Sequence, residues 1–118
     1  MQPAPSQPSD RVAGFQDFWR CYLAEHASGT NRALHVMGTS AALVLLGLGV
    51  LCRRPSLLLL APIVGYAPAW IGHFLIERNR PATLAHPLWS LRADLKMLTL
   101  AARGRLRDEL ERYAVPPQ

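Results

Sequence analysis

The sequence predicts an all-α membrane protein, a transmembrane helical hairpin with flanking amphipathic helices at the membrane interface. Two stretches free of Asp, Glu, Lys and Arg, residues 36–52 and 56–76, are separated only by the tripeptide 53–55. Segments joined by so short a link must run antiparallel, and as helices each reaches roughly 25–30 Å, near the hydrocarbon thickness of a bilayer. A chain of 118 residues is also small for a soluble core that would have to bury both stretches.

A soluble helical bundle is the alternative fold. The first apolar stretch is short for a membrane span. Gly38, Gly47 and Gly49 would also allow helices to pack closely, as they do in bundles of either kind. The hairpin in a bilayer remains the favoured interpretation.

The chain divides into one domain and two tails. Residues 1–11 are rich in Pro, Ser and Gln, which predicts a disordered tail and not a signal peptide. Residues 12–113 are expected to form a single membrane-embedded helical domain, and residues 114–118 a short second tail.

Two amphipathic helices are expected to flank the hairpin. From Val12 to Ala27 the aromatic residues recur at helical spacing, which is typical of a helix at the headgroup level. A second helix, from Leu88 to about Tyr113, has leucines on one side and basic residues on the others. Both patterns favour helices that lie on the membrane surface.

The net charge of +5 is concentrated near the open end of the hairpin. The basic residues there are Arg32, Arg78, Arg80, Arg92 and Lys96, against Arg53 and Arg54 at the closed end. The positive-inside rule then predicts an integral membrane protein with both termini in the cytoplasm. Anionic lipid or an anionic substrate is the expected partner, and no nucleic-acid-binding pattern is present.

All four histidines are expected at one end of the hairpin. His35 and His73 lie equally far along the chain from Arg54, on either side of it. His26 ends the first helix and His86 follows the second span, so the topology returns both to the same membrane face. Neutral imidazole suits Fe, Zn, Cu and Ni, and the spacing does not choose among them. The pattern predicts a shared metal site, with ordinary packing of each histidine as the alternative.

Three polar residues are candidates for holding the imidazoles in position. Glu77 lies one helical turn beyond His73 and is expected to orient an imidazole, with direct ligation or an ion pair with Arg80 as alternatives. Asn31 and Asn79 have the same expected role, with helix capping as the alternative. Four neutral imidazoles leave the charge of a metal ion uncompensated, which favours an anionic ligand such as a lipid carboxylate. Glycine-rich phosphate loops, GxSxG and CxxC are absent from the sequence.

The residues around these histidines resemble a known family. The segments are 18–26 (FWRCYLAEH), 31–38 (NRALHVMG), 65–74 (GYAPAWIGHF) and 77–90 (ERNRPATLAHPLWS). They resemble the membrane 2-hydroxy fatty acid dioxygenases, the family named for metabolism of phytosphingosine to odd-numbered fatty acids. The resemblance runs from about Phe15 to Met97 and is most specific over residues 65–94.

The resemblance implies an Fe(II)-dependent dioxygenase that shortens a 2-hydroxy fatty acid by one carbon, with O2 as co-substrate. The family's histidines correspond to His26, His35, His73 and His86, which would be both the metal ligands and the catalytic residues. A compact, arginine-rich chain fits an enzyme of the bacterial inner membrane. Its oligomeric state is not predicted. The alternative is a non-catalytic membrane protein that uses the same histidines for a structural metal or as a scaffold.

Under this hypothesis the acyl chain lies along the hairpin. Tyr66 and Trp70 are expected to line its cavity, with a role as interface anchors as the alternative. Prolines 62 and 68 would bend the second span and so shape that cavity. Arg32, Arg80 and Lys96 are candidates for binding the substrate carboxylate, although such residues more often are charges that face lipid headgroups.

Overall fold

The structure is a computed structural model that describes residues 12–113, and in that range the chain is helical and contains no strand. The elements are α1 (Phe15–Glu25), α2 (Gly29–Leu51), α3 (Pro55–Ile71), a π-helical segment (Gly72–Glu77), a 3-10 turn (Ala82–Leu84), α4 (Pro87–Ala102) and α5 (Leu106–Arg112). The predicted all-α class is confirmed. The expected tails at 1–11 and 114–118 lie outside the described residues.

Helices α2 and α3 form the predicted hairpin. Its closed end is a tight helix-ending turn in which Arg53 adopts a left-handed conformation (φ 54°) and the Arg54 N–H donates to the Gly49 carbonyl over 2.9 Å. Two stretches, Gly29–Leu51 and Pro55–Glu77, are long and apolar enough to cross a membrane. Much of their apolar surface is exposed, as lipid-facing helices require.

Glycines allow the two long helices to approach closely. A Cβ on Gly38 would lie 2.8 Å from the Gly65 carbonyl oxygen, and a Cβ on Gly49 would lie 2.6 Å from Leu58 Cδ2. Gly47 is different, because a Cβ there would meet no atom within 4 Å. The expected packing role is therefore right for Gly38 and Gly49 and wrong for Gly47.

Helix α1 packs on α4 at the open end of the hairpin, and this region is called the head. Phe18, Trp19 and Tyr22 of α1 are fully buried in one cluster with Ala93 and Met97 of α4. These aromatic side chains therefore pack against protein, and the position of α1 at the headgroup level stays a prediction. Two amphipathic helices that meet at the same end of a hairpin bury more apolar surface against each other than either would alone.

The predicted helix from Leu88 to about Tyr113 is two helices. Helix α4 ends at Ala102, and Gly104 adopts a left-handed conformation (φ 67°) before α5 begins at Leu106. Outside the contact with α1, Leu88 and Leu91 of α4 remain exposed. This apolar side of α4 keeps the character expected of an interfacial helix.

Candidate metal centre

Three histidines from three elements meet in the head. His26 caps the end of α1, His35 lies in α2, and His73 lies in the π-helical segment. All three are buried, and one potential ligand atom from each lies within 4.8 Å of those of the other two. The shortest distance, 3.1 Å, joins Nε2 of His26 to Nε2 of His35. This cluster can hold a metal ion.

The close approach of α2 to the π-helical segment depends on Gly72. A Cβ at this position would lie only 1.8 Å from Oδ1 of Asn31, one turn before His35 on α2. With no side chain on Gly72, the backbone next to His73 can approach α2, and the rings of His35 and His73 stand edge to face with centroids 4.9 Å apart. π-helical turns are frequent at functional sites because their wider turn re-aims the side chains within it.

Each imidazole of the cluster has its Nδ1 bonded to an oxygen atom. The pairs are His26 with the Tyr22 carbonyl at 2.6 Å, His35 with Asp94 Oδ1 at 3.3 Å, and His73 with Asn79 Oδ1 at 2.7 Å. Such oxygen partners fix the orientation of metal-bound histidines and leave the other ring nitrogen to face the ion.

The partners also fix which nitrogen carries the proton. A backbone carbonyl only accepts, so His26 Nδ1 donates to Tyr22. The amide of Asn79 is oriented by its Nδ2, which donates to the Glu25 carbonyl over 3.0 Å, so its Oδ1 accepts from His73. The carboxylate of Asp94 accepts from His35 in the same way.

In the neutral form of each imidazole, Nε2 therefore carries a lone pair. Two such lone pairs, on His26 and His35, face each other across 3.1 Å. Lone pairs at this distance repel unless a proton or a cation lies between them. The three imidazole nitrogens therefore suit a metal ion that binds histidine ligands.

Burial keeps His26 in the form that binds metals. Desolvation, and then the neighbouring His35 and His73, hold the pKa of His26 well below 6.5. Tyr22, whose ring stacks on His26 with centroids 3.9 Å apart, has its pKa raised well above 10 by burial and by the adjacent Asp94. Its phenol therefore stays protonated and donates to Asp94 Oδ1.

Sequence reasoning missed Asp94 and Tyr22 as parts of this site. Tyr22 supplies a carbonyl to His26 and a hydroxyl to Asp94, and Asp94 in turn accepts from His35. One signal was available in the sequence, because Asp94 is the sole acidic residue of the basic helix α4. Its separation of 59 residues from His35 along the chain hid the connection.

His86 lies outside the three-histidine cluster. It caps the start of α4, with its ring stacked on Trp89 (centroids 5.0 Å apart) and edge-on to Phe18 (5.6 Å). Its Nε2 is buried and has no hydrogen-bond partner among the residues that the structure describes. Its assignment as a metal ligand stays a prediction.

Glu77 and Asn31 form a separate network beside the cluster. Glu77 Oε1 accepts from the Ser28 backbone N–H at 2.6 Å and from Asn31 Nδ2 at 3.4 Å, and Ser28 Oγ caps the Asn31 N–H. Glu77 thus ties the start of α2 to the end of the π-helical segment, while Asn79 is the partner of His73. The expected role of Glu77 in orienting an imidazole stays a prediction.

Tyr66 and Trp70 line a groove on the outer side of α3. With Pro62, Ile63 and Ala67 they form an open, almost wholly apolar groove of about 340 Å³. Tyr66 and Trp70 are partly exposed, whereas His73, further along the same apolar stretch, is buried. The role of the groove in substrate binding stays a prediction.

The two candidate arginines lie close to the cluster along the chain. Arg32 Nη1 donates to the carbonyls of His26 and Ala27, over 2.8 and 2.7 Å, and so closes the end of α1. Arg80 is half-buried and directly follows Asn79. Their expected role in binding a carboxylate stays a prediction.

The fold and the site define a class of protein: small, all-helical, with a buried three-histidine cluster able to hold a metal ion at one end of a long apolar hairpin. The chain belongs to the Mpo1-like family, described as 2-hydroxy-palmitic acid dioxygenase Mpo1-like, whose family model matches residues 12–106. This match confirms the family resemblance of the sequence. No curated protein and no solved structure matches the chain.

Proposed function

We propose that the protein is an Fe(II)-dependent dioxygenase that converts a 2-hydroxy fatty acid into a fatty acid one carbon shorter. The observation that carries the proposal is the convergence of three buried histidines, one ring nitrogen of each within 4.8 Å of those of the others, in a family named for a 2-hydroxy-palmitic acid dioxygenase. His26, His35 and His73 would hold the metal. Bound Fe(II) would supply the electrons that activate O2.

The residues around the cluster would keep the imidazoles oriented. The Tyr22 carbonyl, Asp94 and Asn79 each hold one Nδ1 proton, so that every Nε2 is free to bind a cation. We include His86 as a fourth ligand. Its buried Nε2, which lacks a partner among the described residues, supports this assignment.

The proposed substrate matches the charge of the site. Neutral imidazoles leave a bound cation uncompensated, which favours the carboxylate of a 2-hydroxy acid. Arg32 and Arg80 are the proposed carboxylate-binding residues, because both lie beside cluster residues along the chain. Arg32 already donates through Nη1 to two carbonyls, so the N–H groups of Nη2 and Nε would be the ones that bind a substrate.

The acyl chain would come from a bilayer. The proposed path for it is the apolar groove at Tyr66 and Trp70, which opens toward the side of α3 that would face lipid. Each methylene that leaves water contributes roughly 0.8 kcal/mol to binding. Short soluble 2-hydroxy acids should therefore be poor substrates.

The decisive experiment is metal analysis of protein purified in detergent without oxygen, followed by addition of O2 and 2-hydroxypalmitate. We expect stoichiometric iron, and consumption of O2 with formation of an acid one carbon shorter. Palmitate, which lacks the 2-hydroxyl, should not react. His35→Ala should abolish both iron binding and turnover. Bound metal without O2 consumption would instead identify a non-catalytic metal-binding or scaffold protein and end the proposal.

The proposed location is an inner bacterial membrane with the head and both termini in the cytoplasm, supported by the basic residues near the open end of the hairpin. The native cysteines provide the test. Cys52 is exposed at the closed end, and Cys21 is half-buried in α1. An impermeant maleimide should label Cys52 from the outside of spheroplasts in the Cys21→Ser variant. Labelling only after the membrane is broken would contradict this orientation.

A further inference from the structure

Two aromatic rings continue from the histidine cluster into the core of the head. The Tyr22 ring stacks on His26 with centroids 3.9 Å apart and planes at 26°. The Trp19 ring stacks on Tyr22 in turn, at 5.5 Å and 14°. Both side chains are fully buried. Tyrosine and tryptophan are the aromatic side chains that lose an electron most readily. The stacked rings therefore have the chemistry needed to carry an electron.

Each of the two rings donates its polar hydrogen to a carboxylate. The Tyr22 hydroxyl donates to Asp94 Oδ1, and Trp19 Nε1 donates to Glu109 Oε1 over 2.9 Å. A phenol or an indole that loses an electron becomes a strong acid, and its oxidation is easiest where a base already accepts the proton. Neutral acceptors would have been enough to satisfy the hydrogen bonds of the Tyr22 hydroxyl and the Trp19 indole.

The charge around Trp19 favours coupled loss of a proton and an electron. Lys96 Nζ lies 4.4 Å from the Trp19 ring centroid. A cation over the ring opposes formation of a positively charged tryptophan radical, because the two charges repel. Transfer of the indole proton to Glu109 removes that repulsion. Glu109 is half-buried on α5, so the acceptor of the indole proton lies nearer to the surface than the buried Trp19.

We propose that Tyr22 and Trp19 form a path that carries oxidising equivalents away from the metal centre when it is oxidised with no substrate bound. The inference rests on the proposed function in one respect, because it requires a redox-active metal at the three histidines. Such a path would protect the ligand imidazoles, which are otherwise the groups nearest to the oxidant. A substrate-bound site would use the same oxidising power on the 2-hydroxy acid.

The oxidant of the metal is hydrogen peroxide, which takes up two electrons, and two protons from water, and leaves as two molecules of water. One electron comes from Fe(II) itself, and the other comes through the metal from Tyr22. Tyr22 gives one electron to the oxidised metal and its hydroxyl proton to Asp94, and becomes a neutral tyrosyl radical. Trp19 then gives one electron to Tyr22, which recovers its proton from Asp94, while the indole proton passes to Glu109. A soluble one-electron reductant such as ascorbate returns the electron to Trp19, which recovers its proton from Glu109.

The test uses the full-length protein in detergent, loaded with iron, mixed with hydrogen peroxide without substrate and frozen for electron paramagnetic resonance. We expect a protein radical that ascorbate removes. In Trp19→Phe the tyrosyl signal should accumulate and persist, since its outlet is lost. In Tyr22→Phe the tyrosyl signal should disappear, and peptide mass spectrometry should find at least a several-fold rise in oxidation of His26 and His35.

Tyr113→Phe is the matched control. Tyr113 lies in the same head, where its hydroxyl accepts from Gln16 Nε2, outside the stacked path. This variant should leave the radical signal and the histidine oxidation of the parent unchanged. Iron content is measured in every variant, and if Tyr22→Phe loses iron, the Trp19→Phe result decides.

A parent protein that forms no radical, or a signal that neither substitution alters, would overturn the path. If the protein also shortens 2-hydroxypalmitate in that case, the proposed function survives without the inference. A protein that binds no redox-active metal would remove both together. Oxidation of His26 that is equal in all variants would exclude the protective role.

Discussion

The head and the closed end of the hairpin differ in what their side chains contact. In the head, polar groups such as His26 and His73 are buried and each has an oxygen partner for its Nδ1. At the closed end, Leu51 and Leu59 are 82% and 75% exposed, and Gly49 packs against Leu58 of the other helix. The head has a buried core like that of a soluble protein, whereas the hairpin exposes the apolar surface that a membrane-spanning pair would present to lipid.

The largest expected effect comes from the three clustered histidines. Replacing His26, His35 or His73 with Ala removes one of three converging nitrogens, so bound metal should fall at least tenfold in each variant. Metal analysis after dialysis measures this. His86→Ala should lower metal content less, because the cluster is complete without it. Equal metal in all four variants and the parent would rule out a metal centre in the head.

Two leucine-to-alanine substitutions compare the buried core of the head with the exposed surface of the hairpin. Leu23→Ala empties space in the buried core of the head and should lower the free energy of unfolding by about 2–5 kcal/mol. Leu59→Ala, at an exposed position of the hairpin, should change it by less than about 0.5 kcal/mol. Denaturation in detergent measures both. Similar losses at the two positions would mean that the hairpin packs against something other than lipid or detergent.

Asp94→Asn tests whether the head depends on the orientation of its imidazoles. The amide keeps the shape of the carboxylate but weakens the hydrogen bonds from Tyr22 and His35. Metal affinity should fall about 10–100-fold. Asp17→Asn, on the exposed face of α1, is the matched control and should leave the affinity unchanged. The measurement is competition with a calibrated chelator.

The smallest expected effect is a difference in stability between alanine substitutions at two glycines. An added methyl at Gly72 would collide with Asn31, so Gly72→Ala should cost about 1–3 kcal/mol of stability and reduce metal content. Gly47→Ala meets no atom within 4 Å and replaces a helical glycine, so it should be neutral or stabilise by up to about 1 kcal/mol. Thermal unfolding compares the two. A harmless Gly72→Ala would show that the tight approach beside His73 is not needed.

The sequence by itself determined the hairpin and the meeting of its histidines. Long stretches without charge, joined by a three-residue link, leave a chain little choice but to fold back on itself. Because His35 and His73 lie equally far from that link, an antiparallel pair must bring them to the same end. These two properties follow from chain length and hydrophobic pattern, which can be read from residues that are close together along the chain.

Only the tertiary structure decided which groups complete the site. Asp94 is far along the chain from His35, and Asn79 accepts a hydrogen bond from His73. The sequence predicted an amphipathic α1 but not its packing on α4, which buries its aromatic residues. Hydrogen-bond partners and mutual burial depend on the rotation and separation of whole helices. A repeat along one helix cannot reveal these, because it says which side is apolar and not what that side will meet.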